Sequence, residues 1–235
     1  MTVSDAMEWS PTLSVVLPVY HEAETINEVL EILRRQSDEG VEIIVVDGDP
    51  AGSTINAVID EKALKMTAPR GRARQMNVGA ARAKGDIILF LHADTLLPRN
   101  AFALIRAAVA KKDVVGGAFD LGFDTKRRIF AVTELYVALR TRLTRVPFGD
   151  QAIFIIRGYF EQIGGYRDIP LMEDVDLMKR IRKRCDSIAI IRHKVRTSLR
   201  RYERDGVLYC TVRNLALQVL YTWGVPPERL MKWYR

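Results

Sequence analysis

Apolar residues in the first half of the chain fall into short unbroken runs, and between the runs they recur every three or four positions. Leu13-Ser14-Val15-Val16-Leu17-Pro18-Val19-Tyr20 is the first run, and its β-branched, nearly continuous apolarity predicts a strand buried on both faces. Residues 23–36 set Ile26, Val29, Leu30 and Leu33 on one stripe, the pattern of a helix packed on a sheet. Residues 41–46 predict a second strand, and Gly52-Ser53-Thr54 can cap a helix after it. Residues 72–84 predict a helix of small residues carrying Ala73, Met76, Ala80 and Ala83, with Gly85 as its left-handed closing residue. Residues 86–92 predict a third strand, and Pro98 the first position of the next helix.

This alternation predicts an α/β domain with a mostly parallel central sheet, right-handed crossovers and helices on both faces. In such sheets ligands bind beyond the carboxyl ends of the strands. Three polar segments sit there: Pro18 to Glu22, Asp47-Gly48-Asp49 and His92-Ala93-Asp94. The second half is less regular. It predicts a strand at 114–119, a basic helix near 126–145, a strand at 152–156, an acidic helix start at Glu173-Asp174-Val175-Asp176 and a strand at 187–191. Helices near 205–222 and 227–234 close the chain. No repeat, low-complexity tract or linker divides it, so 235 residues read as one domain.

Composition narrows the class. With 48% hydrophobic and 28% charged residues the chain is globular rather than disordered. Two distant cysteines, Cys185 and Cys210, exclude a disulfide scaffold and a four-thiolate zinc site and fit a reducing cytoplasm. No basic-then-apolar leader and no run of eighteen apolar residues is present, so neither a signal peptide nor a membrane span is expected. Charge is split unevenly. Residues 1–100 hold 10 Lys and Arg against 15 Asp and Glu, a net of −5, whereas residues 101–235 hold 26 against 14, a net of +12. A basic half attracts phosphates, nucleic acid or an anionic membrane without choosing among them.

Candidate chemistry lies at the strand ends. Asp47 there can accept hydrogen bonds from a base or ribose, or form an ordinary Asp-Gly turn. Asp94 is a hard oxygen ligand suited to Mg²⁺ or Mn²⁺ beside substrate phosphates; the plainer alternative makes it a loop or helix cap. In Pro69-Arg70-Gly71-Arg72, Gly71 permits close backbone approach and the arginines can neutralise a diphosphate at a helix N-terminus, or form a solvated turn. Asn77 reaches the same ligand or bonds locally. Glu173, Asp174 and Asp176 are close enough to repel, which suits a proton acceptor, though acidic residues also favour a helix's first turn. Gly149, Asp150 and Gln151 offer acceptor contacts or a polar turn. The basic stretch 192–204 is expected to be a solvated face, with phosphate binding second. His21 and His193 have no ligand spacing to a partner. The amphipathic residues 207–223 are expected to pack on the core, with a membrane interface as the alternative.

Taken in order, Pro18-Val19-Tyr20, Val46-Asp47, Gly71-Arg72 with Asn77 and Gly79, His92-Ala93-Asp94 and Glu173-Asp174 resemble the inverting family-2 glycosyltransferases of the GT-A fold, from Ser14 to about Tyr202. The segments 69–77, 148–151 and 170–174 look like the subgroup labelled arsenosugar-biosynthesis-type glycosyltransferases. The resemblance implies one Rossmann-like domain: a nucleotide-sugar-binding half at about 12–110, an acceptor and catalytic half at about 111–205, and C-terminal helices at about 206–235. It implies a nucleotide-sugar donor, UDP- or GDP-linked foremost, and a divalent cation, Mg²⁺ or Mn²⁺. Pro18, Tyr20, Glu22, Asp47, Gly71, Arg72, Asn77, His92 and Ala93 would serve the donor, and Asp94 the cation. Asp174 would deprotonate the acceptor hydroxyl with Glu173 in support; Gly149, Asp150, Gln151, Arg200, Arg201 and Tyr202 would face phosphate or acceptor. Two positions depart from the family pattern: Gly48 displaces the second acid to Asp49, and His92 stands where the metal motif carries its first carboxylate.

The expected protein is therefore a cytoplasmic enzyme, with peripheral contact to the inner membrane face and a lipid-linked acceptor as open possibilities. A sugar-phosphate nucleotidyltransferase is the enzymatic rival, but the loop Pro18 to Ala23 lacks its Gly-rich, Lys-containing character. The non-enzymatic rival is a basic phosphate- or nucleic-acid-binding module. No nucleic-acid partner is expected.

Overall fold

The computed structural model describes residues 11–125 and 127–234. The chain runs β1 (Leu13–Val19), α1 (Ile26–Gln36), β2 (Val41–Asp47), β3 (Leu64–Thr67), α2 (Arg72–Ala80), β4 (Ile87–Phe90), β5 (Thr95–Leu96), α3 (Ala101–Val109) and β6 (Val114–Phe123). It continues with α4 (Arg128–Thr144), β7 (Phe154–Ile156), α5 (Arg157–Gln162), α6 (Glu173–Lys183), β8 (Ser187–Thr197), α7 (Arg200–Asp205), α8 (Val207–Thr222) and α9 (Pro227–Tyr234). All eight strands join one sheet in the order β3-β2-β1-β4-β7-β6-β8-β5. The strands β3, β2, β1 and β4 are parallel to their neighbours, and so are β6 and β8; β7 runs antiparallel between the two groups, and β5 antiparallel on the far edge. The mostly parallel sheet flanked by helices is the fold that the apolar runs predict.

The β1 strand is buried along its whole length because helices cover both faces, which is why it reads as an unbroken apolar run. Its alternate residues feed two cores. Leu13, Val15, Leu17 and Val19 pack with the apolar stripes of α1 and α3, while Val16 joins Ile44, Ile88 and Phe90 under α2 and α6. Register fixes the functional edge: Val19 lies opposite Asp47, so Tyr20 and Gly48 leave the sheet side by side.

Several local expectations are corrected. No full helix follows Gly52-Ser53-Thr54; a single 3₁₀ turn, Ile55–Ala57, stands there, and the Thr54 hydroxyl accepts the Glu22 N–H instead. Gly85 does not close α2 in a left-handed conformation. It permits close approach, because a Cβ there would lie 2.6 Å from the Leu13 carbonyl carbon. Pro98 precedes α3 by three residues and its carbonyl accepts the Ala101 N–H. The strands β6 and β8 run past their apolar runs, to Phe123 and Thr197, because partners on the sheet satisfy their polar ends. In α8 only Val207, Cys210 and Leu217 are buried; Leu208, Leu215, Val219 and Trp223 face solvent rather than the core. Among the described residues no helix is long and apolar enough to cross a membrane.

Candidate functional site

Beyond the carboxyl ends of the strands lies a pocket of about 150 Å³, open to solvent. His92 and Asp94 enter it from the loop after β4, and Arg72 from the first position of α2. The 3₁₀ turn before β7 supplies Gly149 and Asp150, and the start of α6 supplies Asp174. Thr197 and Ser198 close the β8 side, where the Ser198 N–H donates to the Asp94 carbonyl at 3.0 Å. Tyr202, Asn214 and Tyr234 come from α7, α8 and α9. Thus Asp94 and Asp174, eighty positions apart, share one hollow.

Asp174 is held by the backbone. Its Oδ2 accepts the Gly149 N–H at 2.6 Å and its Oδ1 accepts the Val175 N–H at 2.7 Å. A Cβ at position 149 would sit 2.8 Å from His92 Nε2 and 3.3 Å from the Asp174 carboxylate, so any larger residue there displaces the His92 ring. Glu173 turns away beneath the pocket, 2% exposed, and its Oε1 accepts from Arg72 Nε at 2.7 Å. Burial pushes the Glu173 carboxyl up, against the pull of Arg72. The same pair acts oppositely on Arg72, whose guanidinium the Glu173 charge holds firmly protonated. Glu173 therefore positions an arginine; it does not line the pocket.

Asp150 carries the most perturbed carboxyl of the pocket. Burial raises it to about 6, with Asp174 and Asp94 adding repulsion and Arg140 opposing them. Its Oδ1 is buried without a hydrogen-bond partner. Arg140 lies 3.6 Å over the Phe148 ring and donates to Gln151 Oε1 at 3.1 Å.

Asp94 is an exposed hard-oxygen ligand, and Asp150 and Asp174 add negative charge beside it, opposed in part by Arg72 and Arg140. Among the described residues no three His, Cys, Asp or Glu side chains group as a self-sufficient metal site. The residues fit a Mg²⁺ or Mn²⁺ that completes its shell with ligand oxygens, which is how such ions meet diphosphates.

Other candidates are placed elsewhere. Asp47 is fully buried and does not line the pocket; Oδ1 accepts the Asp49 N–H, and Oδ2 accepts those of Thr54 and Ile55. It holds the loop beside a second polar cluster. There Arg70 lies 4.2 Å over the Tyr20 ring, and His21 Nδ1 is 3.1 Å from Ser53 Oγ and 3.8 Å from Asp49 Oδ2. Pro18 is buried inside β1, and the Glu22 carboxylate accepts from the Thr25 hydroxyl at the start of α1. Gly71, with φ of 144°, sits just before α2.

Asn77 is corrected from ligand to scaffold: both ends of its amide bond the Tyr166 backbone, at 2.7 and 2.9 Å. Gln151 is likewise buried, bonded to Thr141, Arg140 and the Phe119 carbonyl. Ala93 and Arg200 line a separate hollow on the α1 side, shared with Asp94. The Arg201 side chain lies outside the described residues. Sequence reasoning missed Asn214, which reads as a polar interruption of the amphipathic stretch 207–223, and Tyr234, which ends the closing helix far along the chain from the other pocket residues. It also missed Gln75, whose Nε2 donates to the carbonyls of Val19 and Val46 and ties the two strand ends to α2.

The chain was compared with known proteins. The family model for glycosyl transferase family 2 matches residues 14–166. The chain is 27% identical over 134 residues to the glycosyltransferase GlyG of Streptococcus pneumoniae, covering 53% of this chain and 44% of that protein, so it spans under half the length of that relative. Among solved structures it is similar to the mannosyltransferase PcManGT from Pyrobaculum calidifontis in complex with GDP-Man and Mn²⁺, at 25% identity and a TM-score of 0.58, covering 80% of this chain and 56% of that one. Glucosyl-3-phosphoglycerate synthase from Mycobacterium tuberculosis, in complex with Mn²⁺, UDP and phosphoglyceric acid, superposes with a TM-score of 0.62 at 20% identity, over 92% of this chain and 80% of that one, a likeness of fold.

Proposed function

The chain belongs to glycosyl transferase family 2, and from that premise we propose that it transfers a sugar from a nucleotide-sugar donor to an acceptor hydroxyl with inversion at the anomeric carbon. The observation that carries the reading is the meeting of Asp94, Asp174 and Arg72 in one pocket at the carboxyl edge of the sheet. The complexes named for the structural neighbours, with GDP-Man, UDP and Mn²⁺, support a donor of this class and a divalent cation.

In this reading Asp174 takes the proton of the acceptor hydroxyl. Its oxygens are aimed by the Gly149 and Val175 amides, so the base is oriented before the acceptor arrives. The acceptor oxygen attacks the anomeric carbon from the face opposite the nucleotide. The bond to the diphosphate oxygen breaks, and its electron pair leaves with the nucleoside diphosphate. Arg72, fixed by Glu173, faces that developing charge. Asp94, with diphosphate oxygens, would hold the cation, which when bound supplies neutralisation of the leaving group. Tyr20, Arg70 and Asp49 flank the place where the nucleoside would lie. The segments 69–77, 148–151 and 170–174 favour the arsenosugar-type subgroup; within them Asn77 and Gln151 serve as scaffold, bonded to the backbone of Tyr166 and Phe119.

A thermal-shift panel of UDP, GDP, CDP and dTDP, with and without Mn²⁺, tests the donor. We expect one nucleotide with Mn²⁺ to stabilise the protein and Asp94→Ala to abolish that gain. No response to any nucleotide removes the reading. With the donor identified, Asp174→Asn is expected to lower kcat by about 10²- to 10⁴-fold while the nucleotide shift is retained; unchanged turnover takes Asp174 out of the mechanism.

A further inference from the structure

Two neighbouring helices of the basic half turn apolar rows toward solvent. On α4 the row is Ile129, Val132, Leu135, Leu139 and Leu143, opposite the buried Phe130, Thr133, Val137 and Thr141. On α8 it is Leu208, Val212, Leu215, Val219 and Trp223, with nearly the same three- and four-residue spacing. These ten side chains are 37–79% exposed. The helices flank a common groove, with Tyr136 and Val137 from α4 facing Thr211 and Leu215 from α8. Two apolar rows on neighbouring helices are far more than scattered surface leucines, and they mark an interaction face.

Charge identifies the occupant. Within α4 and α8 the only acidic residue is Glu134, and it is occupied by the Phe123 N–H and the Lys194 ammonium, at 2.8 and 2.7 Å. Arg127 and Arg128 stand exposed at the N-terminus of α4, where the helix dipole favours anions, and neither makes an ion pair among the described residues. Arg127 also lies 5.6 Å over the Phe130 ring, and both guanidinium groups suit a negative surface. At the other end of α4 Arg142 pairs with Asp120 and Arg145 donates to the Ile188 carbonyl, so the positive charge that α4 offers a partner gathers at its N-terminus. Trp223 at the end of α8 and Trp233 on α9 are exposed, the residue type that settles at a lipid headgroup boundary.

We propose that α4 and α8 form a docking face for an anionic lipid bilayer, lying in the plane of the interface with both apolar rows inserted among the headgroups. The groove between them shares Phe148, Asp150, Tyr202 and Asn214 with the pocket described above, so docking sets the site beside the lipid surface.

Co-sedimentation with vesicles tests this without nucleotide or turnover, so its failure leaves the sugar-transfer reading standing. The full chain is expected to bind vesicles of equal phosphatidylglycerol and phosphatidylcholine at least tenfold more tightly than phosphatidylcholine alone, with binding lost in high salt. Trp fluorescence should shift to the blue on binding, and Trp223→Phe should diminish that shift. Leu135→Glu with Leu139→Glu should reduce binding to background, and Arg127→Gln with Arg128→Gln should weaken it by about thirtyfold. All four sites are solvent-exposed, so both double variants should keep the parent circular dichroism and Tm. The proposal is overturned if the parent ignores anionic vesicles, if the glutamate variant binds them equally well, or if sedimentation velocity shows a dimer that this variant dissolves while vesicle binding is absent.

Discussion

At the scale of single residues, Asp150 is where the fold accepts an unfavourable group. Its carboxyl is held near 6 against an ordinary 3.8 by burial above all, with Asp174 and Asp94 adding repulsion against the pull of Arg140 and Arg72. Unfolding returns it to the lower value. Between about pH 4 and pH 6 the folded state therefore carries more protons than the unfolded one, and stability falls as pH rises through that window. Above it the full penalty is present, up to about 3 kcal/mol for two pH units. Asp150→Asn removes the charge, so its Tm is expected to exceed that of the parent by several degrees at neutral pH and to match it near pH 4. Calorimetry at the two pH values decides the matter: a Tm difference independent of pH means that the carboxyl is not strained by its neighbours. The same arrangement explains why the pocket suits a cation, since positive charge placed among Asp94, Asp150 and Asp174 relieves the repulsion that raises Asp150.

Between single residues and the whole stand the elements, and there one amide joins three of them. Gln75 is 3% exposed on α2 and donates to the Val19 carbonyl at 2.7 Å and the Val46 carbonyl at 2.9 Å, the last turns of β1 and β2. Gln75→Leu fills a similar space but removes the hydrogen bonds that tie α2 to both strand ends, while the Val19 carbonyl keeps the Gly48 N–H; the loss is roughly 0.5–1.5 kcal/mol for each bond removed. A Tm lower by about 2–4 °C for each kcal/mol follows, together with weaker nucleotide binding because the loops after both strands lose their anchor; an unchanged Tm means that water serves the carbonyls equally well. Gln75 also shows where sequence reading stops. The parallel strands were legible because burial on both faces leaves an unbroken apolar run, as in β1 and β2, and α1 because its stripe is regular. The sites at Asp94 and Asp174 were legible because a carboxylate directly follows an apolar run or opens a helix. Gln75, Asn77 and Gln151 were not, because a polar residue that bonds backbone across the fold looks in sequence like one that bonds a ligand. The α8 stripe was misassigned for a related reason: amphipathicity tells that a helix has an apolar face, while only the packing of α4 and α6 decides which face the core receives.

Over the whole molecule the pocket is a seam between two differently charged regions. Residues 1–100 are net acidic and contribute Arg72, His92 and Asp94; residues 101–235 are net basic and contribute Asp174, Tyr202, Asn214 and Tyr234. If the first region binds the nucleotide and the second the acceptor, the two functions separate by mutation. Arg72→Ala should erase the stabilisation given by nucleotide and Mn²⁺, a Tm gain of about 5–10 °C at a hundredfold excess over Kd. Asn214→Ala should leave that gain intact and raise the acceptor KM about tenfold, the loss of one hydrogen bond worth roughly 1.4 kcal/mol. The contrast is demanding because both side chains line one hollow, so a general disturbance of the site would depress both measurements together. Loss of nucleotide stabilisation in Asn214→Ala would place the C-terminal helices on the donor side. The division of labour would then follow the pocket wall, not the order of the chain.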